Sequence, residues 1–243
     1  MILPFNTLMA LIFGISSLIT ALAAIMVLDY LRKGGVDLKN IISYAAGVFI
    51  GLIFLDLMPE LIEEGDPITP FYVMAGFLSF SVIELILGYH EHHHLQNISE
   101  IGYMDLISDL IHNFIDGFFL YAAFQVDFQL GVLAGVSVIL HELPQEVSDY
   151  MILIYSGFKR NMAILFNVLV SSSTIAAILI ASIINVEPLL LISFMMGNYL
   201  YLATVDLIPE VSKSVRGIRR IKSYIAFILG ILTLYILEGI ISF

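Results

Sequence analysis

Two short polar runs in this chain, His112-Asn113-Phe114-Ile115-Asp116-Gly117 and His141-Glu142-Leu143-Pro144-Gln145-Glu146, put metal-ligand side chains at helical spacing. On a helix, Asp105, Asp109, His112 and Asp116 fall at i, i+4, i+7 and i+11 and stack along one face. Helix rise makes that face a polar stripe about 16 Å long, with Asn113 one step round from His112. On the second run, His141 and Gln145 form one i,i+4 pair, Glu142 and Glu146 form another beside it, and Asp149 continues the stripe. Turned toward each other, two such faces converge four to six nitrogen and oxygen ligands. The chain has no Cys, so thiolate sites and disulfides are excluded and any metal must be held by imidazole, carboxylate and amide groups. Imidazole with carboxylate suits Zn(II), Fe(II), Mn(II) or a similar divalent first-row metal, whereas Ca(II) or Mg(II) takes oxygen alone. His112, Asp116 and His141 make one candidate site; Asn113, Glu142 and Gln145 make an adjoining one of harder, weaker character. Pro144 sits among these ligands, where its ring removes the hydrogen bond to the Leu140 carbonyl and favours a kink.

The elements that carry these runs are apolar. Hydrophobic residues make up 60% of the 243 residues and charged residues 13%, and mean hydropathy is +0.99. A soluble domain runs at roughly 45–50% apolar and about 25% charged, so the composition specifies an all-α integral membrane protein. Eight segments, about 5–29, 41–58, 70–88, 104–124, 130–155, 161–184, 188–208 and 223–242, each approach the roughly 20 residues a helix needs to span. The first lacks a basic n-region and reads as a retained helix, not a signal peptide. An ionisable group at mid-bilayer costs about 2.5–3.5 kcal/mol on insertion scales, so the dense clusters on segments four and five imply a cation site.

All ten Lys and Arg fall in loops that follow odd-numbered segments: Arg32, Lys33 and Lys39; Lys159 and Arg160; and Lys213, Arg216, Arg219, Arg220 and Lys222. The positive-inside rule places those loops in the cytoplasm and both termini outside. Gly47–Leu61 (GVFIGLIFLDLMPEL) and Gly197–Val211 (GNYLYLATVDLIPEV) match at Gly47/Gly197, Asp56/Asp206, Pro59/Pro209 and Glu60/Glu210, all 150 residues apart. Being an odd number of crossings apart, they run in opposite directions, the inverted repeat typical of secondary transporters. The chain thus divides into spans one to three (about 5–88), a central pair (about 104–155) and spans six to eight (about 161–242), a 3+2+3 arrangement within one transmembrane domain over 1–243.

HNFIDG followed by HELPQE resembles the paired signature of the ZIP (ZRT/IRT-like) divalent-metal transporters, closest to the subfamily with HNFxDG on the fourth span and HExPHExGD on the fifth. The resemblance covers the whole chain and implies a 3+2+3 bundle with inverted repeats, in which metal crosses toward the cytoplasm by an elevator-like motion of the transport helices. It implies His112, Asp116 and His141 at the principal transport site and Asn113, Glu142 and Gln145 at the adjoining one. Glu146 and Asn167 complete the candidate ligands, Asn167 with Ser171 being the nearest polar positions on span six. Two departures matter: Gln145 stands where the motif has a second His, and Ser148 where it has Gly. A neutral amide binds more weakly, so the resemblance leaves a second bound metal in question. A homodimer is also a family expectation, and Gly131 and Gly135 would allow close helix contact.

Residues 89–103 read as a His-rich cytoplasmic loop, whose His90, Glu91, His92, His93 and His94 suit loose metal binding as a reservoir or sensor. Asp105, Asp109, Glu146 and Asp149 all lie on the cytoplasmic side of His112 and His141 and suit an exit path. Asp56, Glu60, Asp206 and Glu210 read as structural, and Glu84 and Glu238 have no account from sequence. The expected partners are divalent metal ions and membrane lipid, without nucleic acid or organic cofactor, in a microbial plasma membrane favoured by the compact loops. Two other classes compete. His141-Glu142-x-x-Gln145 is one substitution from the HExxH of zinc proteases, although Gln145 and Pro144 count against an enzyme; a metal-gated channel or sensor would use the same ligands.

Overall fold

The computed structural model describes residues 4–33, 38–63, 66–94, 98–184, 187–209 and 217–241, and every regular element among them is helical. Helix α1 spans Phe5–Lys33. Helix α2 (Leu38–Gly51) passes through a widened π segment, Leu52–Leu57, into α3 (Met58–Glu63). Then come α4 (Thr69–His94), α5 (Ile98–Val126), α6 (Phe128–Tyr155), α7 (Arg160–Ser171) and α8 (Ser173–Ala181). Helix α9 (Pro188–Tyr201) enters a second π segment, Leu202–Leu207, and α10 covers Ile218–Ile241. Each of the eight expected apolar segments therefore falls mainly on helix. By length and composition five stretches among the described residues suffice to cross a membrane: Phe5–Ala23, Lys39–Glu63, Arg160–Ala181, Pro188–Val205 and Arg220–Ile240. The His, Asn, Asp and Glu residues of α5 and α6 make those two helices less apolar, which is the cost of carrying the candidate site.

Two details differ from expectation. Span six is α7 and α8 in series, broken at Ser172, and α8 ends at Ala181. The His-rich stretch is not a free loop in its backbone: α4 runs through His94 and α5 begins at Ile98, while the side chains of 90–94 lie outside the described residues. Helix α6 continues through position 144; the Pro144 side chain likewise lies outside them.

Both π segments have the same local cause. Pro59 and Pro209 follow two residues after each segment, lack an N–H, and crowd the carbonyls of Leu55 and Val205; widening the turn relieves that conflict. The segments begin at 52 and 202, the same 150-residue offset as the sequence match. Packing is equally reciprocal. Helix α2 lies along α10, where a Cβ on Gly47 would collide with the Phe227 carbonyl and one on Gly230 with that of Tyr44. Helix α4 lies along α9, where Gly76 meets the Phe194 carbonyl and Gly197 that of Val73. Only glycine permits backbones this close. The reciprocity exposes a further match that the sequence reading missed: Gly76 and Glu84 correspond to Gly230 and Glu238 at an offset of 154. Glu238 lies within electrostatic reach of buried Asp56 on the neighbouring π segment.

The helices sort into two groups. Helices α1, α5, α6, α7 and α8 pack together, as do α2, α4, α9 and α10, and the groups meet where α9 crosses α5 and α2 crosses α6. The outward faces are apolar, with Ile12, Ile19, Ile183, Ile228 and Ile240 exposed as lipid contacts would require. The polar residues are inside: His112, Asn113, Asp116, His141, Glu142, Glu146 and Asn167 are all buried.

Candidate metal site

A one-residue turn sets the depth of the site. Asp127 caps α6, its Oδ1 accepting from the backbone N–H of Gln129 (2.8 Å) and Leu130 (3.1 Å), and it directly follows the last residue of α5. Satisfying two of the orphan donors at the helix start fixes the reversal and makes α5 and α6 antiparallel neighbours. His112 lies fifteen residues before this turn and Glu142 fifteen after it, so the two polar runs sit level across the helix pair.

At that level four side chains converge. One ligand atom from each of His112, Asp116, His141 and Glu142 lies within 4.8 Å of all the others. His141 Nε2 is 3.0 Å from Asp116 Oδ2, His112 Nε2 is 3.6 Å from the same oxygen, and His141 Nε2 is 3.9 Å from Glu142 Oε1. A tetrahedral ion with bonds of about 2.0–2.1 Å separates its ligands by about 3.4 Å, so small rotamer adjustments close this group onto a metal. Two of the four are left short of partners at the atoms that face the site: His112 Nε2 and both Glu142 oxygens accept no hydrogen bond from an N–H or hydroxyl group among the described residues, and His141 Nδ1, the ring nitrogen that does not face Asp116, is likewise without a partner. Leaving a buried acceptor unsatisfied costs about 1–3 kcal/mol, and more when it is charged. A bound cation would remove that penalty at several atoms together.

The remaining candidates are brought to a neighbouring cluster, not into the four. Asn113 Nδ2 donates to Asp109 Oδ1 (2.8 Å) and to its main-chain oxygen (3.2 Å), while Thr174 Oγ1 of α8 donates to Asn113 Oδ1 at 3.1 Å. Gln145 Nε2 reaches Asp109 Oδ1 at 3.4 Å. Glu146 accepts from Asn167 Nδ2 at 2.9 Å and from Ser171 Oγ in a very short contact. Asn167 and Ser171, the span-six positions named as candidate ligands, thus both hydrogen-bond the Glu146 carboxylate. Asn167 Oδ1, buried, has no partner among the described residues.

Two residues of the site escaped the sequence reading. Tyr199 on α9 donates its hydroxyl to Asp116 Oδ1 at 2.8 Å. Phe49 on α2 stacks on the His141 ring, with centroids 4.2 Å apart and planes at 28°. They come from the other helix group, lie against each other with ring centroids 5.2 Å apart, and close the cluster from that side. The signal was present: Phe49 and Tyr199 each stand two residues after the matched glycines Gly47 and Gly197, so they are the same position of the repeat.

With this geometry established, comparison with known proteins places the chain. A family model described as the ZIP zinc transporter matches residues 88–238, which includes both ligand helices. The chain belongs to the ZIP zinc transporter family. Among similar ZIP proteins, zinc transporter zipt-7.1 of Caenorhabditis briggsae is 30% identical over 59% of this chain and 47% of its own length. Zinc transporter ZIP13 of Pongo abelii is 27% identical over 84% of this chain and 67% of that protein. The ZIP13 homolog of Drosophila melanogaster is 25% identical over 80% and 75%. The chain therefore spans about half the length of the first of these relatives. As an all-helical member of this family it is an integral membrane protein.

Proposed function

We propose that this protein transports a divalent first-row metal, zinc first among them, through the site between α5 and α6. The observation that carries this is the buried His112–Asp116–His141–Glu142 cluster with its unpartnered ligand atoms. The relatives named as zinc transporters support the choice of metal. Asn113, Gln145, Glu146 and Asn167 form an adjoining, weaker station, since most of their polar atoms already have protein partners. The basic loops orient the chain with both termini outside and the Asp105, Asp109, Glu146 and Asp149 side of the site toward the cytoplasm, so that release is inward. The 3+2+3 inverted repeat is supported by the matched π segments and the reciprocal glycine contacts. Lipid surrounds the bundle, and a homodimer stays a family expectation. The animal relatives lend no support to a microbial plasma membrane.

One observation counts against the protease alternative. His141 and Gln145, which would have to bind one zinc together, serve different clusters: His141 faces Asp116 and Gln145 faces Asp109. Uptake of radiolabelled zinc into proteoliposomes by wild type and His112→Ala tests the proposal. Saturable uptake that the substitution abolishes is expected. Absence of uptake by wild type, or equal uptake by both, would overturn it; non-saturating flux would instead indicate a channel.

A further inference from the structure

The two oxygens of Asp116 have different surroundings. Oδ2 faces His141 Nε2 at 3.0 Å and His112 Nε2 at 3.6 Å, whereas Oδ1 accepts the Tyr199 hydroxyl at 2.8 Å. Tyr199 is 1% exposed. Its ring is held by Phe119 in an edge-on contact (centroids 4.9 Å, 90°) and by Phe49 (5.2 Å, 41°), so the hydroxyl has a fixed place and cannot swing aside. Among the described residues it is the one donor from the second helix group to a ligand of the cluster. Glu142 is the opposite case: neither of its oxygens accepts from an N–H or hydroxyl group there, its polar neighbours being the carboxylates of Asp116 and Glu146, and it can bind a metal through one oxygen or two.

We infer that Tyr199 is a positioning residue that restricts Asp116 to binding through Oδ2 alone and thereby biases the site toward zinc over larger divalent ions. Zinc is satisfied by four ligands in a tetrahedron, and His112, His141, Asp116 and Glu142 supply four with one oxygen from each acid. Cadmium and manganese are larger and gain from extra oxygen donors; for them Asp116 would bind through both oxygens, drawing on the Oδ1 that already accepts the Tyr199 hydroxyl and so weakening a buried hydrogen bond to a charged group. Hydrogen-bonding partners of metal ligands commonly change metal affinity by about 10–100-fold. The restraint comes from α9, outside the ligand helices, so the choice of metal depends on how the two helix groups meet.

This inference rests on the proposed function, and the test separates the two. Equilibrium competition between zinc and either cadmium or manganese is measured on purified wild type, Tyr199→Phe and Tyr199→Gln. Tyr199→Phe should lower the zinc-to-cadmium and zinc-to-manganese affinity ratios about tenfold, while Tyr199→Gln, which keeps a donor, should stay near wild type. An unchanged ratio in Tyr199→Phe, with zinc still bound saturably, overturns the inference and leaves the transport reading standing. Wild type that binds none of the three metals overturns both. Should Tyr199→Phe fail to fold, infrared difference spectra of wild type labelled with [13C]aspartate decide. A wide gap between the antisymmetric and symmetric carboxylate stretches on zinc binding marks one-oxygen coordination and supports the inference; a narrow gap, the two-oxygen signature, overturns it.

Discussion

The two polar clusters on α5 and α6 are built from similar residues less than two turns apart, yet they use them differently. In the cluster of His112, Asp116, His141 and Glu142, three candidate ligand atoms, His112 Nε2 and both Glu142 oxygens, accept no hydrogen bond from an N–H or hydroxyl group among the described residues. In the neighbouring cluster, Asp109 is held by Asn113 and Gln145, and Glu146 by Asn167 and Ser171. A buried polar group left without a partner is costly, so the first arrangement makes sense only if something supplies the missing partner. The second is held by several protein donors, with Asp109 Oδ2 and Asn167 Oδ1 left without partners among the described residues, and has less to gain from a cation. Ligand identity alone does not distinguish a metal site from a packing network; how many donors each carboxylate already accepts is the sharper guide.

That contrast can be broken by substitution. The largest effect is expected from Asp116→Ala, which removes the oxygen shared by both histidines: zinc uptake by proteoliposomes should fall by about 100-fold or more. Glu142→Gln should separate function from stability. It removes an unpartnered buried carboxylate, so metal binding should fall by about 10–100-fold while the metal-free protein becomes more stable by about 1–3 kcal/mol, read as a higher midpoint in thermal unfolding. Ser171→Ala should do the reverse. Loss of a donor to Glu146 should destabilise the fold by about 1–3 kcal/mol, with zinc affinity changed less than by Glu142→Gln. Gln145→His, facing Asp109, should strengthen the neighbouring cluster enough to show a second zinc equivalent in titration calorimetry. Deleting residues 90–94 should have the smallest effect, leaving affinity at the central cluster unchanged.

Much of this was legible in the sequence because helical spacing fixes which residues share a face. The i, i+3 and i+7 pattern of Asp109, His112 and Asp116, and the i,i+4 pair of His141 with Gln145, put these residues on one face of each of two neighbouring helices. The pattern did not reveal which of the named ligands would find protein partners, because those partners come from elsewhere: Asn167 and Ser171 on α7, Thr174 on α8 and Tyr199 on α9. The inverted match at Gly47 and Gly197 held the clue to Phe49 and Tyr199, but an aromatic within an apolar span reads as packing until the second helix group is seen against the site. Likewise Glu84 and Glu238 had no account until the glycine contacts of α4 and α10 aligned their helices; the extended helix through His94 has no signal in the polar run itself.

The most direct test of the central claim is equilibrium zinc titration of purified wild type beside Asp116→Asn and Glu146→Gln. If the four-residue cluster is the cargo site, wild type binds zinc saturably, Asp116→Asn loses that binding and Glu146→Gln retains it. Retained binding in Asp116→Asn together with loss in Glu146→Gln would place the metal in the neighbouring cluster and contradict the account.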